Sequence, residues 1–177
     1  DERIKYFSST SFLTLYEARN MAIKFATGKY ISFLDTDDYW FEDKLYKQIS
    51  FLEKNKLCKI TYSNLIVKND VKCKEYIFSK SLPSGKITKN LLQNYLIGIL
   101  TVCMERDIFS TKIFNKKYNV IGDLDFFINL SKNYNIECID EPLAFYRVHD
   151  DNYSKKQIRT YINELSSWIK ENEKQFN

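Results

Sequence analysis

The segment that most constrains this chain is residues 30–40 (YISFLDTDDYW), where a short apolar run empties directly into three carboxylates. Residues 30–34 have the character of a strand covered on both faces. Such strands belong to α/β sheets with helices packed above and below. In open α/β sheets, ligands gather outside the carboxyl ends of the strands, and Asp35, Asp37 and Asp38 fall at such an end. Asp35 and Asp37 are two residues apart, so an extended backbone aims both to one side. Carboxylates so placed repel one another unless a cation or hydrogen-bond donors neutralise them. Hard divalent ions, Mg²⁺ or Mn²⁺, take oxygen ligands and bridge to substrate phosphates. The plainer reading is an acidic loop in which Asp38 caps a helix expected from Phe41.

The flanking pattern supports alternating helices and strands. Residues 15–26 carry Leu15, Ala18, Ala22 and Phe25 at helical spacing, with Gly28 expected as the C-cap. Helices are also expected over residues 41–54, 88–95, 106–114 and 123–134. Strands are expected over 3–7, 59–67, 74–78, 98–104, 137–139 and 143–148, with a turn at Pro83-Ser84-Gly85. Residues 154–176 form the clearest amphipathic pattern, with Ile158, Tyr161, Ile162, Leu165, Trp168 and Ile169 in one stripe. This divides the chain into 1–154, an α/β unit, and 155–177, a C-terminal helix expected to pack on it.

Composition narrows the class. With 44% hydrophobic and 28% charged residues over 177 positions, the chain suits one globular domain with a real core and does not suit disorder. The net charge of +4 permits anionic partners such as diphosphates but falls short of a nucleic-acid binder. The four cysteines form no C-x-x-C pair, and one histidine cannot complete a zinc set. That suits a reduced, intracellular chain. The pattern holds neither a signal peptide nor an apolar run of bilayer length.

Three further features carry chemistry. Asp123, in Gly122-Asp123-Leu124-Asp125, opens an apolar helix, where the dipole alone would favour a carboxylate. His149, the chain's one histidine, follows a strand-like run in Phe145-Tyr146-Arg147-Val148-His149. A lone histidine is usually structural, but a position past a strand end beside acids suits a functional one. Arg19, on the first helix, is either solvated surface or a partner for a diphosphate.

In this order the segments resemble family 2 glycosyltransferases of the GT-A fold, whose pattern A-R-N-x-A-I-x-x-A-x-G-x-Y-I-x-F-L-D-x-D-D-x-W stands here as residues 18–40, followed by Lys44, Leu45 and Gln48. The resemblance runs from about residue 3 to about residue 154. It implies a mixed Rossmann-like sheet flanked by helices. It also implies transfer of a sugar, with inversion, from a nucleotide-sugar donor (a UDP-sugar) to a glycan or lipid-linked acceptor. Asp37 and His149 would hold Mn²⁺ or Mg²⁺ against the diphosphate. Asp35, Asp38, Arg19 and Trp40 would contact the donor, and Asp123 would be the catalytic base. The same resemblance implies polysaccharide assembly in the bacterial cytoplasm, at the inner face of the membrane, with peripheral membrane association or a homodimer in view. The polar face of the C-terminal helix mixes Lys155, Lys156, Arg159, Lys170 and Lys174 with Glu164, Glu171 and Glu173, weaker than a basic membrane helix.

The chain departs from the family pattern in three places. Gly122 replaces a usual Glu, Asn129 stands where Arg is common, and the nucleotide-binding front of the family is missing. The expectation is an N-terminally truncated GT-A unit that binds nucleotide-sugar poorly by itself. Two other classes compete. A phosphatase with a D-x-D nucleophile is disfavoured because Asp37 is followed by Asp38-Tyr39-Trp40 rather than Gly and Thr or Val. An inactive fragment, serving as a binding module or as part of an assembled enzyme, suits the missing front.

Overall fold

The computed structural model describes residues 1–176. In chain order the elements are α1 (Leu15–Phe25), β1 (Tyr30–Ile31), β2 (Tyr39–Trp40), α2 (Lys44–Lys54), β3 (Ile60–Asn69), β4 (Lys74–Ile77), α3 (Thr88–Gln93), β5 (Cys103–Glu105), α4 (Gly122–Ser131), β6 (Ile136–Val148), α5 (Tyr153–Lys156) and α6 (Ile158–Phe176). One mixed sheet runs β1-β5-β3-β6-β2, with β4 paired to the far half of β3. The fold is α/β, as expected.

Helix α1 starts where the Glu17 carboxylate reaches back to accept the Thr14 N–H and hydroxyl, each at 3.0 Å. A T-x-x-E spacing permits this closure. The inward residues of α1 are Tyr16, Arg19 and Asn20, so a partly polar face enters the protein. Asn20 satisfies itself by bonding both backbone groups of Phe114, at 2.8 and 3.0 Å. Gly28 does not stop the helix by a left-handed turn. The helix ends at Phe25, and Ala26 is already extended at φ −71° and ψ 130°. Gly85 is the glycine that adopts positive φ, at 86°, in the expected turn.

Several expected strands change form, each for want or gain of a ladder partner. Residues 3–7 lie exposed and pair with no described strand, although Phe7 stacks on Phe25 at 4.1 Å. Of residues 30–34, β1 pairs only Tyr30 with Glu105 and Ile31 with Met104. The strand expected at 98–104 becomes a 3-10 turn (Ile99–Thr101) leading into β5, and the helix expected at 106–114 shortens to a second 3-10 turn (Arg106–Ser110). The two strands expected after residue 136 are one, because β6 runs parallel to β3 along its whole length. Pro142 sits beside Asn64 where that register shifts, a place where a missing N–H costs least. The single helix expected at 154–176 breaks at Gln157 into α5 and α6.

The core lies between the sheet and helix α4. Ile60, Tyr62, Met104, Phe114, Phe127 and Ile136 are fully buried; Phe109 stacks on Phe126, and Phe114 lies tilted against both. Behind the acidic loop, Lys44 is also fully buried. Its ammonium donates to Gln48 Oε1 at 2.7 Å and lies 4.3 Å from the Trp40 ring centroid. Burial pushes this ammonium down to about 8. Gln48 in turn donates to the Thr101 carbonyl at 2.8 Å. Gln48 Nε2 also lies 3.2 Å from Thr61 Oγ1 of β3, so α2 is pinned to the sheet directly after the carboxylates. The α6 stripe packs in part: Trp168 is buried, whereas Ile158, Ile162 and Ile169 remain more than half exposed.

Candidate active site

The carboxylates after β1 each find a different partner. Asp35 accepts from Arg19 Nη2 at 2.8 and 2.9 Å. The Arg19 side chain is 9% exposed and that of Asp35 44%, so the guanidinium is a buried support beneath an open carboxylate. Asp37 Oδ2 meets His149 Nε2 at 2.9 Å. Asp38 turns inward, where Oδ1 accepts the Arg147 backbone N–H at 2.9 Å. Burial is the main cause that raises the Asp38 carboxyl to about 6, and the charges of Asp37 and Asp35 add to it. Asp38 therefore ties the acidic loop to the end of β6. It does not cap α2, whose N-cap is Asp43.

His149 is held by Asn152, a loop residue that the sequence does not mark. Asn152 is 4% exposed. It accepts the His149 backbone N–H at 2.6 Å and donates to the Arg147 carbonyl at 3.0 Å. The Asp151 N–H points at His149 Nδ1, 3.2 Å away. That nitrogen must then accept, which leaves the ring proton on Nε2 facing Asp37. Trp40 is bound into the packing: its indole N–H donates to the Leu100 carbonyl at 2.8 Å, and its ring joins Leu65, Leu100 and Ala144.

Asp123 occupies a different setting. It is the second residue of α4 and half-buried. The Tyr16 hydroxyl lies 3.1 Å from Oδ1 and the Tyr95 hydroxyl 3.4 Å from Oδ2. Burial raises the Asp123 carboxyl, while Arg19 opposes the rise. Gly122 leaves the room this needs, because a Cβ there would lie 2.5 Å from the Tyr16 ring. Asp125 turns the other way, accepting from Trp168 Nε1 at 2.8 Å and Asn129 Nδ2 at 3.1 Å. Glu164 of α6 accepts the N–H groups of Asn119, Val120 and Ile121 at 2.6, 3.0 and 3.2 Å. Together these contacts make α6 a brace for the start of α4.

Arg19 links the two settings, since its guanidinium lies 5.4 Å from the centroid of the Tyr16 ring. The most informative sequence residues thus meet around α1 and the sheet edge. A cavity of about 650 Å³ elsewhere, lined by Lys24, Arg106, Asp107 and Lys116, includes none of them. Among the described residues, no three His, Cys, Asp or Glu side chains form a ready-made metal cage, and no helix is long and apolar enough to cross a membrane.

A mixed sheet with acids at its edge and a carboxylate opening a facing helix defines a protein of the GT-A fold. The structure of S. aureus TarS in complex with UDP-GlcNAc aligns with a TM-score of 0.55, at 12% identity, over 80% of this chain and 41% of that one. Residues 1–115 match the pattern of Glycosyl transferase family 2, and the chain belongs to that family. It is 35% identical over 144 residues to the Escherichia coli UDP-Glc:alpha-D-GlcNAc-diphosphoundecaprenol beta-1,3-glucosyltransferase WfgD, covering 79% of this chain and 53% of that protein. It is 32% identical to the E. coli enzyme of the same description, WfaP, over 82% of this chain and 56% of that protein. The chain thus spans about half the length of these curated relatives.

Proposed function

We propose that this chain forms the metal-side and base-side portion of a glycosyltransferase that moves a sugar from a UDP-sugar to a lipid-linked acceptor with inversion. The observation that carries the reading is the contrast between two acid settings: Asp37 paired with the His149 imidazole, and Asp123 held by two tyrosine hydroxyls. The donor class is supported by the UDP-GlcNAc bound in the TarS structure. The acceptor class is supported by the diphosphoundecaprenol named for both E. coli relatives.

The residues present fit a divalent ion. Mg²⁺ and Mn²⁺ are commonly held by one or two side chains plus substrate phosphates rather than by an all-protein cage. Asp37 supplies a carboxylate oxygen for that purpose, with His149 beside it. A bound ion would offset charge on the departing nucleoside diphosphate. Asp35, fixed by buried Arg19, stays open to hydrogen-bond the donor's hydroxyls. Asp123 takes the proton of the acceptor hydroxyl as that oxygen attacks. Inversion requires base and leaving group on opposite faces of the sugar, which suits a base on a helix apart from the metal loop. A raised carboxyl is the better base, because proton transfer improves as its affinity for the proton approaches that of the group it deprotonates.

Calorimetric titration of the chain with UDP, with and without Mn²⁺, tests the metal assignment. We expect weak, Mn²⁺-dependent binding that weakens by about tenfold or more in Asp37→Ala, where each tenfold corresponds to about 1.4 kcal/mol. Binding of equal strength in both proteins, or independent of Mn²⁺, would overturn it.

A further inference from the structure

We infer that Tyr16 is a positioning residue for Asp123, and that Gly122 is the gap that admits it. The inference rests on the reading of Asp123 as the base, and goes beyond it by naming what orients that base. Tyr16 is 1% exposed, so its ring cannot swing away. Its hydroxyl lies 2.9 Å from the Val120 carbonyl as well as 3.1 Å from Asp123 Oδ1. A phenol has one proton to give, and a charged acceptor makes the stronger bond. When Asp123 ionises, the proton therefore favours the carboxylate; when Asp123 is neutral, it serves the carbonyl. Burial, and then the Asp123 charge, raise the Tyr16 phenol, which keeps it a donor across the working pH range.

The geometry has a sequence cause. Any side chain at position 122 would occupy the space of the Tyr16 ring, starting with its Cβ. The glycine that departs from the family pattern and the tyrosine beneath it are thus two halves of one packing solution. Three residues on α1 then divide the work: Tyr16 faces Asp123, Arg19 faces Asp35, and Asn20 anchors the helix to Phe114. The charged and titratable groups that face Asp123 are Tyr16 and Arg19 from α1 and Tyr95 from the segment after α3. Asp125, on its own helix, points to Trp168, and Glu164 is engaged with backbone N–H groups.

The test is a carboxyl-carbon NMR titration of ¹³C-aspartate-labelled chain, with Asp123→Asn used to assign the resonance. In Tyr16→Phe the ring still fills the space beside Gly122, so the fold is retained and only the donor is lost. The Asp123 midpoint should rise by about one pH unit, since a lost donor withdraws support from the charged form. Tyr95→Phe, removing the longer contact, should raise it less. An unmoved or lowered midpoint in folded Tyr16→Phe overturns the inference. A merely structural tyrosine would shift the melting temperature and leave that midpoint in place. Sugar transfer by Asp123→Asn at the wild-type rate would overturn the base reading instead, whatever the titration shows. With both upheld, the acid limb of the pH–rate profile moves up in Tyr16→Phe while the KM for donor does not change.

Discussion

The two acid settings are built on opposite principles. After β1, Asp35 and Asp37 stay partly open to water and are balanced by cationic or polar groups that reach them from the side. At the start of α4, Asp123 is drawn inward and balanced by phenol hydroxyls, with a guanidinium acting at longer range. The first arrangement suits carboxylates that must remain charged to meet a cation and a diphosphate. The second suits a carboxylate that must accept a proton. On the proposed reading, the same residue type is given two roles by its surroundings.

The strongest way to break this comparison is Asp123→Asn. Transfer should fall by about 10²–10⁴-fold, the usual worth of a positioned base, with Mn²⁺-dependent UDP binding unchanged. A variant that lost UDP binding instead would show that the two settings are one. Steady-state rates alongside calorimetry make the distinction.

Packing should separate the regions next. Gly122→Ala forces a methyl against the Tyr16 ring, and overpacking of this kind costs about 1–3 kcal/mol. Thr36→Ala, exposed in the acidic loop, should stay within about 0.5 kcal/mol. Chemical denaturation of both variants gives the contrast, and equal losses would mean that the helix start is no tighter than the loop.

The smallest effect concerns pH. The folded state raises the Asp123 carboxyl above its unfolded value, so the native protein binds the extra proton. Its stabilising contribution is complete below the unfolded value, near 3.8, and is lost as pH rises through the folded one. Asp123→Asn should therefore melt above wild type at neutral pH, with the gain fading toward pH 4. A gain of the same size at both pH values would separate it from the titration of Asp123.

Much of the site could be read along the chain, and the part that could not has a common cause. The strand end carrying Asp35 and Asp37, the helix opened by Asp123 and the polar turn holding His149 are local patterns, each written within about ten consecutive residues. Periodicity and turn chemistry report such patterns directly. Tyr16 and Asn152 bore no mark, because an inward tyrosine and a loop asparagine look like any others until their partners arrive.

Sequence alone therefore determined the α/β class, the acidic strand end, the helix bearing Asp123 and the family these motifs mark. Tertiary structure alone decided the partners. It set His149 against Asp37 across 112 positions and Tyr16 against Asp123 across 107. It merged two expected strands into β6 through pairing with β3, and left the segment at 3–7 without a ladder. The physical reason is the reach of each interaction. Helical and extended periodicity depends on neighbours a few residues away, whereas a ladder, a buried phenol or a paired imidazole exists only once distant segments have packed together.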